Sequence, residues 1–171
     1  GDWFVNEKKL GGTLSELIDR VHAQGVKFGI WIEPEMVNED SNLYREHPDW
    51  AIQIPGKLPV RSRNQLILDF SRKEVRDNIF DQICAVFDQG KIDYVKWDMN
   101  RSITECYSAA LPADRQGEVF HRYILGVYDL YERLTSTFPH VLFESCASGG
   151  GRFDPGILYY APQGWTSDDT D

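Results

Sequence analysis

The sequence has no basic block, no apolar run long enough to cross a bilayer and few cysteines, and each shortage excludes something. Lys and Arg total 18 against 27 for Asp and Glu, a formal net charge of −9. Such a surface repels phosphate backbones, so no nucleic-acid partner is expected. A spanning helix needs about 20 consecutive apolar residues. No stretch approaches that and no secretory pattern opens the chain, so no membrane partner is expected. Cys84, Cys106 and Cys146 are odd in number and widely spread, which fits neither a disulfide framework nor a zinc site. A reducing compartment, the cytoplasm, is the expected location. His22, His47, His121 and His140 fall on expected helices or loops, and no two are at ligand spacing. No cofactor is expected, although carboxylates alone leave a magnesium site open.

What is present is a soluble globular composition, 42% hydrophobic and 26% charged, in 171 residues, enough for one domain with a substantial core. Helices and strands alternate along it. Thr13 with Glu16 forms a capping box, Leu14, Leu17, Ile18 and Val21 form one apolar face, and Gly25 stops the helix. Residues 26–32 ("VKFGIWI") read as a strand. Residues 38–63 are polar and read as a long loop with a short helical piece, a length that inside an α/β unit points to function or disorder. The next strand is 64–70 ("NQLILDF"). Ser71 and Glu74 then predict a second capping box opening a helix to about residue 89, with a stripe of Val75, Ile79, Ile83 and Val86. Strand 92–98, helix 116–138, strand 140–148, a Gly-rich turn 149–156 and a short strand within 161–167 follow. Apolar strands alternating with helices imply an α/β fold with a parallel sheet of about five strands, either a small open sheet or part of a (β/α)8 barrel, which needs about 250 residues when complete.

In either architecture functional groups collect at the carboxyl ends of the strands. Those ends carry Glu33 and Glu35, Asp69, Lys96 and Asp98, Glu144 and Cys146, then Asp168, Asp169 and Asp171. A buried charge costs free energy unless paired, so a purely structural sheet has no need of such a series. Lys96 and Asp98 are two apart on a strand and share a face, with Trp97 turned to the helices. The cation is expected to keep the acid ionised, as a nucleophile, a metal ligand or half of an internal salt bridge. Chemistry that needs one ionised and one protonated carboxyl is found in glycoside cleavage. Trp31 and Trp165 are placed to cover a sugar ring or simply to pack. "SGGGR" (148–152) offers amides and Arg152 to a phosphate, without the Lys-Ser/Thr ending of a P-loop.

Four strings carry a resemblance: "GIWIEPEMV" (29–37), "YVKWDMNR" (94–101), "ESCASGGGRFDPG" (144–156) and "WTSDDTD" (165–171). Together, and in this order, they resemble α-galactosidases of glycoside hydrolase family 36, over essentially the whole chain. The resemblance implies a retaining hydrolase of terminal α-linked galactose, as in melibiose, raffinose and stachyose, built on a (β/α)8 barrel. It makes Asp98 the nucleophile and Asp168 the general acid/base. Trp31, Arg63, Lys96, Asn100 and Cys146 correspond to residues lining the galactose pocket, with Gly149 close by. Lys57 and Arg61 compete with Arg63, and Asp169 competes with Asp168. Family members add a large β-rich domain before the barrel, a smaller one after it, and an aspartate pair on the first barrel strand. Residues 1–171 are therefore expected to be an incomplete, inactive barrel piece of one catalytic domain, whose full-length enzyme is a homo-oligomer acting on α-galactoside oligosaccharides. A galactoside-binding piece without chemistry, a galactosyl transferase sharing the covalent intermediate, and a metal-dependent barrel enzyme are the alternatives.

Overall fold

The first long helix starts where the sequence predicts. In the computed structural model, which describes residues 1–169, the Thr13 hydroxyl accepts from the Glu16 amide at 3.2 Å and Glu16 Oε2 accepts from the Thr13 amide at 2.9 Å. A one-turn helix α1 (Glu7–Leu10) precedes this helix, α2 (Leu14–His22), which buries Leu14 and Ile18. Strand β1 (Gly29–Ile32) is shorter than the predicted 26–32. Before it, the Asp93 amide still donates to the Phe28 carbonyl at 2.8 Å, but the Phe28 amide is taken by Asp93 Oδ2 at 2.8 Å, which also bonds His22 Nε2 at 2.7 Å.

After β2 (Met36–Val37) and α3 (Asn42–Glu46), the segment predicted as a long loop is an ordered excursion. A 3-10 turn at Pro48–Trp50 follows, and Leu43, Trp50, Ala51 and Ile52 are buried. Here the expectation of a fifth parallel strand at 64–70 is corrected. Strand β3 (Leu66–Ile67) pairs antiparallel with β2. Arg63 and Asn64 take positive φ angles of 55° and 59°, closing a turn in which Gln65 donates to the Ser62 carbonyl at 2.9 Å and reversing the chain. The flanking amides go to neighbours of β2 and of the excursion: Leu68 to Glu35 O at 2.9 Å, Ile52 to Ile67 O at 2.8 Å, Asp69 to Trp50 O at 2.7 Å. The segment thus forms a two-stranded sheet of its own with β2, and among the described residues the main sheet has four parallel strands.

That sheet runs β1, β4 (Tyr94–Trp97), β5 (Leu142–Ser145), β6 (Gln163–Gly164), all parallel. Helices α4 (Lys73–Phe87) and α5 (Val119–Thr137) cover its outer side. The α4 stripe is Val75, Ile79 and Ile83 as predicted, completed by Phe87 rather than Val86. The predicted Ser71–Glu74 capping box is absent. Arg72 is the N-cap, without a side-chain bond, because the Ser71 hydroxyl donates instead to Asp69 Oδ1 at 2.5 Å. On α5, Tyr131 stacks on Trp97 with centroids 4.0 Å apart. Gly126 lets this helix approach closely, since a Cβ there would sit 1.9 Å from the Phe70 carbonyl oxygen. The Gly-rich turn leads into a short helix α6 (Pro155–Tyr160) capped by Asp154, whose Oδ1 accepts from the amides of Gly156 at 2.8 Å and Ile157 at 3.0 Å.

Candidate active site at the strand ends

Strand register places the polar residues. Trp31 stands opposite Lys96, Lys96 opposite Glu144, and Glu144 opposite Gln163. The alternate row, Ile32, Trp97 and Ser145, is buried toward the helices. The ladder continues one step beyond the strands, with Asp98 N donating to Ile32 O at 2.9 Å, Cys146 N to Trp97 O at 2.8 Å, and Trp165 N to Ser145 O at 2.9 Å. Glu33, Asp98, Cys146 and Trp165 therefore fall on the same side as Trp31 and Lys96.

Asp98 is only 6% exposed and is surrounded by donors. Its Oδ2 accepts from Trp31 Nε1 at 3.0 Å and Asn100 Nδ2 at 2.8 Å, and its Oδ1 from the Met99 amide at 2.9 Å. Burial pushes its carboxyl up, but the Trp31, Asn100, Cys146 and Met99 donors outweigh that and hold it below the usual aspartate range. Burial and the neighbouring carboxylate push the Cys146 thiol up, so it remains a protonated donor to Asp98. Trp31, Asn100, Cys146 and Asp98 thus form one cluster.

The expected Lys96–Asp98 pair is not formed. Lys96 Nζ lies 3.5 Å from Glu144 Oε1 and 4.2 Å from the Trp165 ring centroid, and neutral donors set the ionisation of Asp98. Residues i and i+2 share a face but stand about 6.6 Å apart along a strand, whereas the neighbouring strand is about 4.8 Å away. Glu144 itself accepts from the Tyr94 hydroxyl and, at 3.1 Å, from Gln163 Nε2. Sequence reasoning placed Glu144 among the strand-end acids without giving it a partner; its place two residues before Cys146 on one face was the available signal.

Asp168 is exposed on the turn after β6 and accepts from Trp165 Nε1 at 2.9 Å through Oδ1. Its competitor Asp169 is engaged through its backbone, with its amide donating to Ser167 Oγ at 3.0 Å. Gly149 ties this turn to the Asp98 side. At φ 82° it lies against the turn, where a Cβ would meet Ser167 Cα at 2.8 Å and the Asp168 amide at 3.1 Å. Next to it the Ser148 hydroxyl reaches Asn100 Oδ1 at 3.3 Å. Gly149→Ala is expected to displace the Asp168 turn and lower activity by about 10²-fold, since misplacement by about 1 Å costs that much; steady-state kinetics checks it. Asp171 lies outside the described residues.

Arg63 is exposed on the positive-φ turn and makes no hydrogen bond to the Asp98 cluster among the described residues. Its turn is nevertheless tied to that cluster: Gln65 Nε2 donates to Glu33 Oε2 at 3.1 Å, while Glu33 Oε1 accepts the Asn100 amide at 2.9 Å. Arg61 is taken by Glu39, with Nη2 at 3.0 Å from Oε1. Arg101, which sequence reasoning passed over, is buried and clamps the loop by donating to Val60 O at 3.0 Å and Gln65 O at 2.6 Å. The phosphate reading of "SGGGR" is corrected as well. Arg152 Nη1 is bound to the fully buried Glu35 at 2.8 Å, so its charge is already matched.

A partial (β/α)8 barrel whose strand ends hold one donor-locked carboxylate after β4, a second carboxylate on the turn after β6 and tryptophan rings beside both has the makings of a glycoside hydrolase. The family model described as Melibiase matches residues 1–171, and the chain belongs to that family of glycoside hydrolases. The bifunctional α-galactosidase/sucrose kinase AgaSK of Mediterraneibacter gnavus is 69% identical over 171 residues, which are 100% of this chain and 17% of that protein. The α-galactosidase AgaA of Geobacillus stearothermophilus is 55% identical over 100% of this chain and 24% of its own length, and its crystal structure superposes with a TM-score of 0.97. The crystal structure of the α-galactosidase from Lactobacillus brevis superposes with a TM-score of 0.97 at 56% identity, covering 100% of this chain and 23% of that one. The chain thus spans about a quarter or less of the length of these relatives.

Proposed function

We propose that this chain supplies the central strands of the catalytic barrel of a retaining α-galactosidase, acting on raffinose-type oligosaccharides as part of a longer, oligomeric protein. The observation that carries the reading is the Asp98 carboxylate, buried yet held ionised by donors from three separate segments. AgaA, 55% identical, has been crystallised as variants with raffinose and with stachyose, which supports the substrate class.

In this reading Asp98 attacks the anomeric carbon as the glycosidic C–O bond breaks, and the proton of Asp168 goes to the departing oxygen. Asp168 then takes a proton from water, whose oxygen attacks the same carbon and frees the Asp98 carboxylate. Trp31, Asn100 and Cys146 fix the attacking group, Lys96 and Arg63 offer cationic donors to sugar hydroxyls, and Gly149 keeps Asp168 in place. Proton NMR of the first product checks the stereochemistry. α-Galactose is expected, and β-galactose would mean a single displacement by water.

The donors around Asp98 also set a pH dependence. The nucleophile must be ionised, so activity falls as pH drops through its pKa, which lies below the ordinary aspartate value. Asn100→Ala removes one donor to the charged form, raising that pKa and moving the acid limb of the kcat/KM profile up by about one pH unit. An unmoved limb would show that Asn100 does not act on this carboxylate.

A further inference from the structure

Trp165 is 41% exposed, yet both its N–H and its ring face are engaged. Its Nε1 donates to Asp168 Oδ1 at 2.9 Å, and the Lys96 ammonium stands over the ring at 4.2 Å from the centroid. Lys96 is braced by Glu144, which the Tyr94 hydroxyl and Gln163 Nε2 hold in turn. The backbone under the ring is fixed too, since the Trp165 amide continues the sheet to Ser145 O at 2.9 Å. The indole therefore links a half-buried cation to the exposed carboxylate. A cation over its face is attracted by the ring and polarises the N–H toward the acceptor.

Resting on the function proposed above, we propose that Trp165 is the positioning residue of the acid/base and decides which oxygen of Asp168 carries the transferable proton. Indole nitrogen only donates, so the oxygen facing it, Oδ1, must accept. In the neutral acid the carbonyl oxygen is the stronger acceptor, so facing the indole favours Oδ1 as carbonyl and places the proton on Oδ2, the oxygen that protonates the leaving oxygen and later takes the proton from water. The braced Lys96 keeps the ring, and with it this choice of oxygen, from drifting.

The test uses Trp165→Phe in the complete enzyme, which keeps a ring over Lys96 and removes the donor. A sugar leaving group needs the proton, whereas a nitrophenolate departs without one. The variant is expected to lose at least about tenfold in kcat/KM on raffinose, within the range that general acid catalysis supplies, and less than about threefold on a nitrophenyl α-galactoside. Trp165→His, which returns an N–H, is expected to recover raffinose activity selectively. Equal losses on both substrates, no loss on either, or a His variant without selective recovery would overturn the inference. Labelling by an activated fluorosugar separates the two levels: a wild-type enzyme labelled away from Asp98 overturns the function and this inference together, while correct labelling with equal losses overturns the role of Trp165 alone.

Discussion

Asp98→Asn in the complete enzyme is expected to lower turnover of raffinose by at least about 10⁴-fold while leaving galactoside binding within a few-fold, because in the proposed mechanism it removes the nucleophile from a set that acts as a unit. The replacement is nearly isosteric, and the amide oxygen can stand at Oδ2, accepting from Trp31 Nε1 and Asn100 Nδ2 as the carboxylate does. Its NH2 then faces the Met99 amide, which now bonds Oδ1 at 2.9 Å, so one donor meets another. The variant therefore loses the charge and one backbone bond but keeps the surrounding shape. Steady-state kinetics together with calorimetric titration of the sugar reads both halves of the expectation. Turnover near the wild-type rate would remove Asp98 from the mechanism.

Glu35→Ala is expected to cost about 3–5 kcal/mol of stability, the usual effect of leaving a buried partner charge uncompensated. Glu35 is 0% exposed, and Arg152 Nη1 lies 2.8 Å from its Oε2. Its Oε1 also accepts from Trp97 Nε1 at 2.8 Å, and its Oε2 from the Tyr123 hydroxyl. Burial and this carboxylate push the Tyr123 phenol well above its ordinary value, which keeps it a donor. One substitution thus strands a guanidinium, an indole N–H and a phenol on the packed side of β4, next to the stacked Trp97 and Tyr131. The midpoint of urea unfolding reads the cost; a change below about 1 kcal/mol would mean that water or another group takes over the pairing.

Much of the scaffold could be read from local signals. The Thr13–Glu16 box and the α4 stripe depend on residues three and four apart, and the helices form there because those neighbours meet on a helix surface. The Asp98 cluster was accessible through its motifs, and the two-residue alternation of β4 turned Trp97 toward the helices as expected. What failed depended on partners distant in sequence. Lys96 finds Glu144 across a strand boundary, and no spacing within "DYVKWDMNR" reveals a carboxylate 48 positions away. Ser71 has the chemistry of a helix cap, but Asp69 competes for its hydroxyl. Strand 64–70 has the apolar composition of a buried parallel strand, yet the positive φ at Arg63 and Asn64 turns it back on β2. Arg152 looks like an anion donor in a glycine-rich turn until Glu35, on the other side of the sequence, is seen beneath it.

The covalent step at Asp98 is the claim on which the functional reading turns. Incubating the complete enzyme with an activated fluorosugar, digesting it and sequencing the labelled peptide by mass spectrometry measures it directly. One sugar per active site is expected, on Asp98 in the peptide containing "KWDMN"; a label on Asp168, on Glu144 or on any other residue would contradict the covalent role of Asp98.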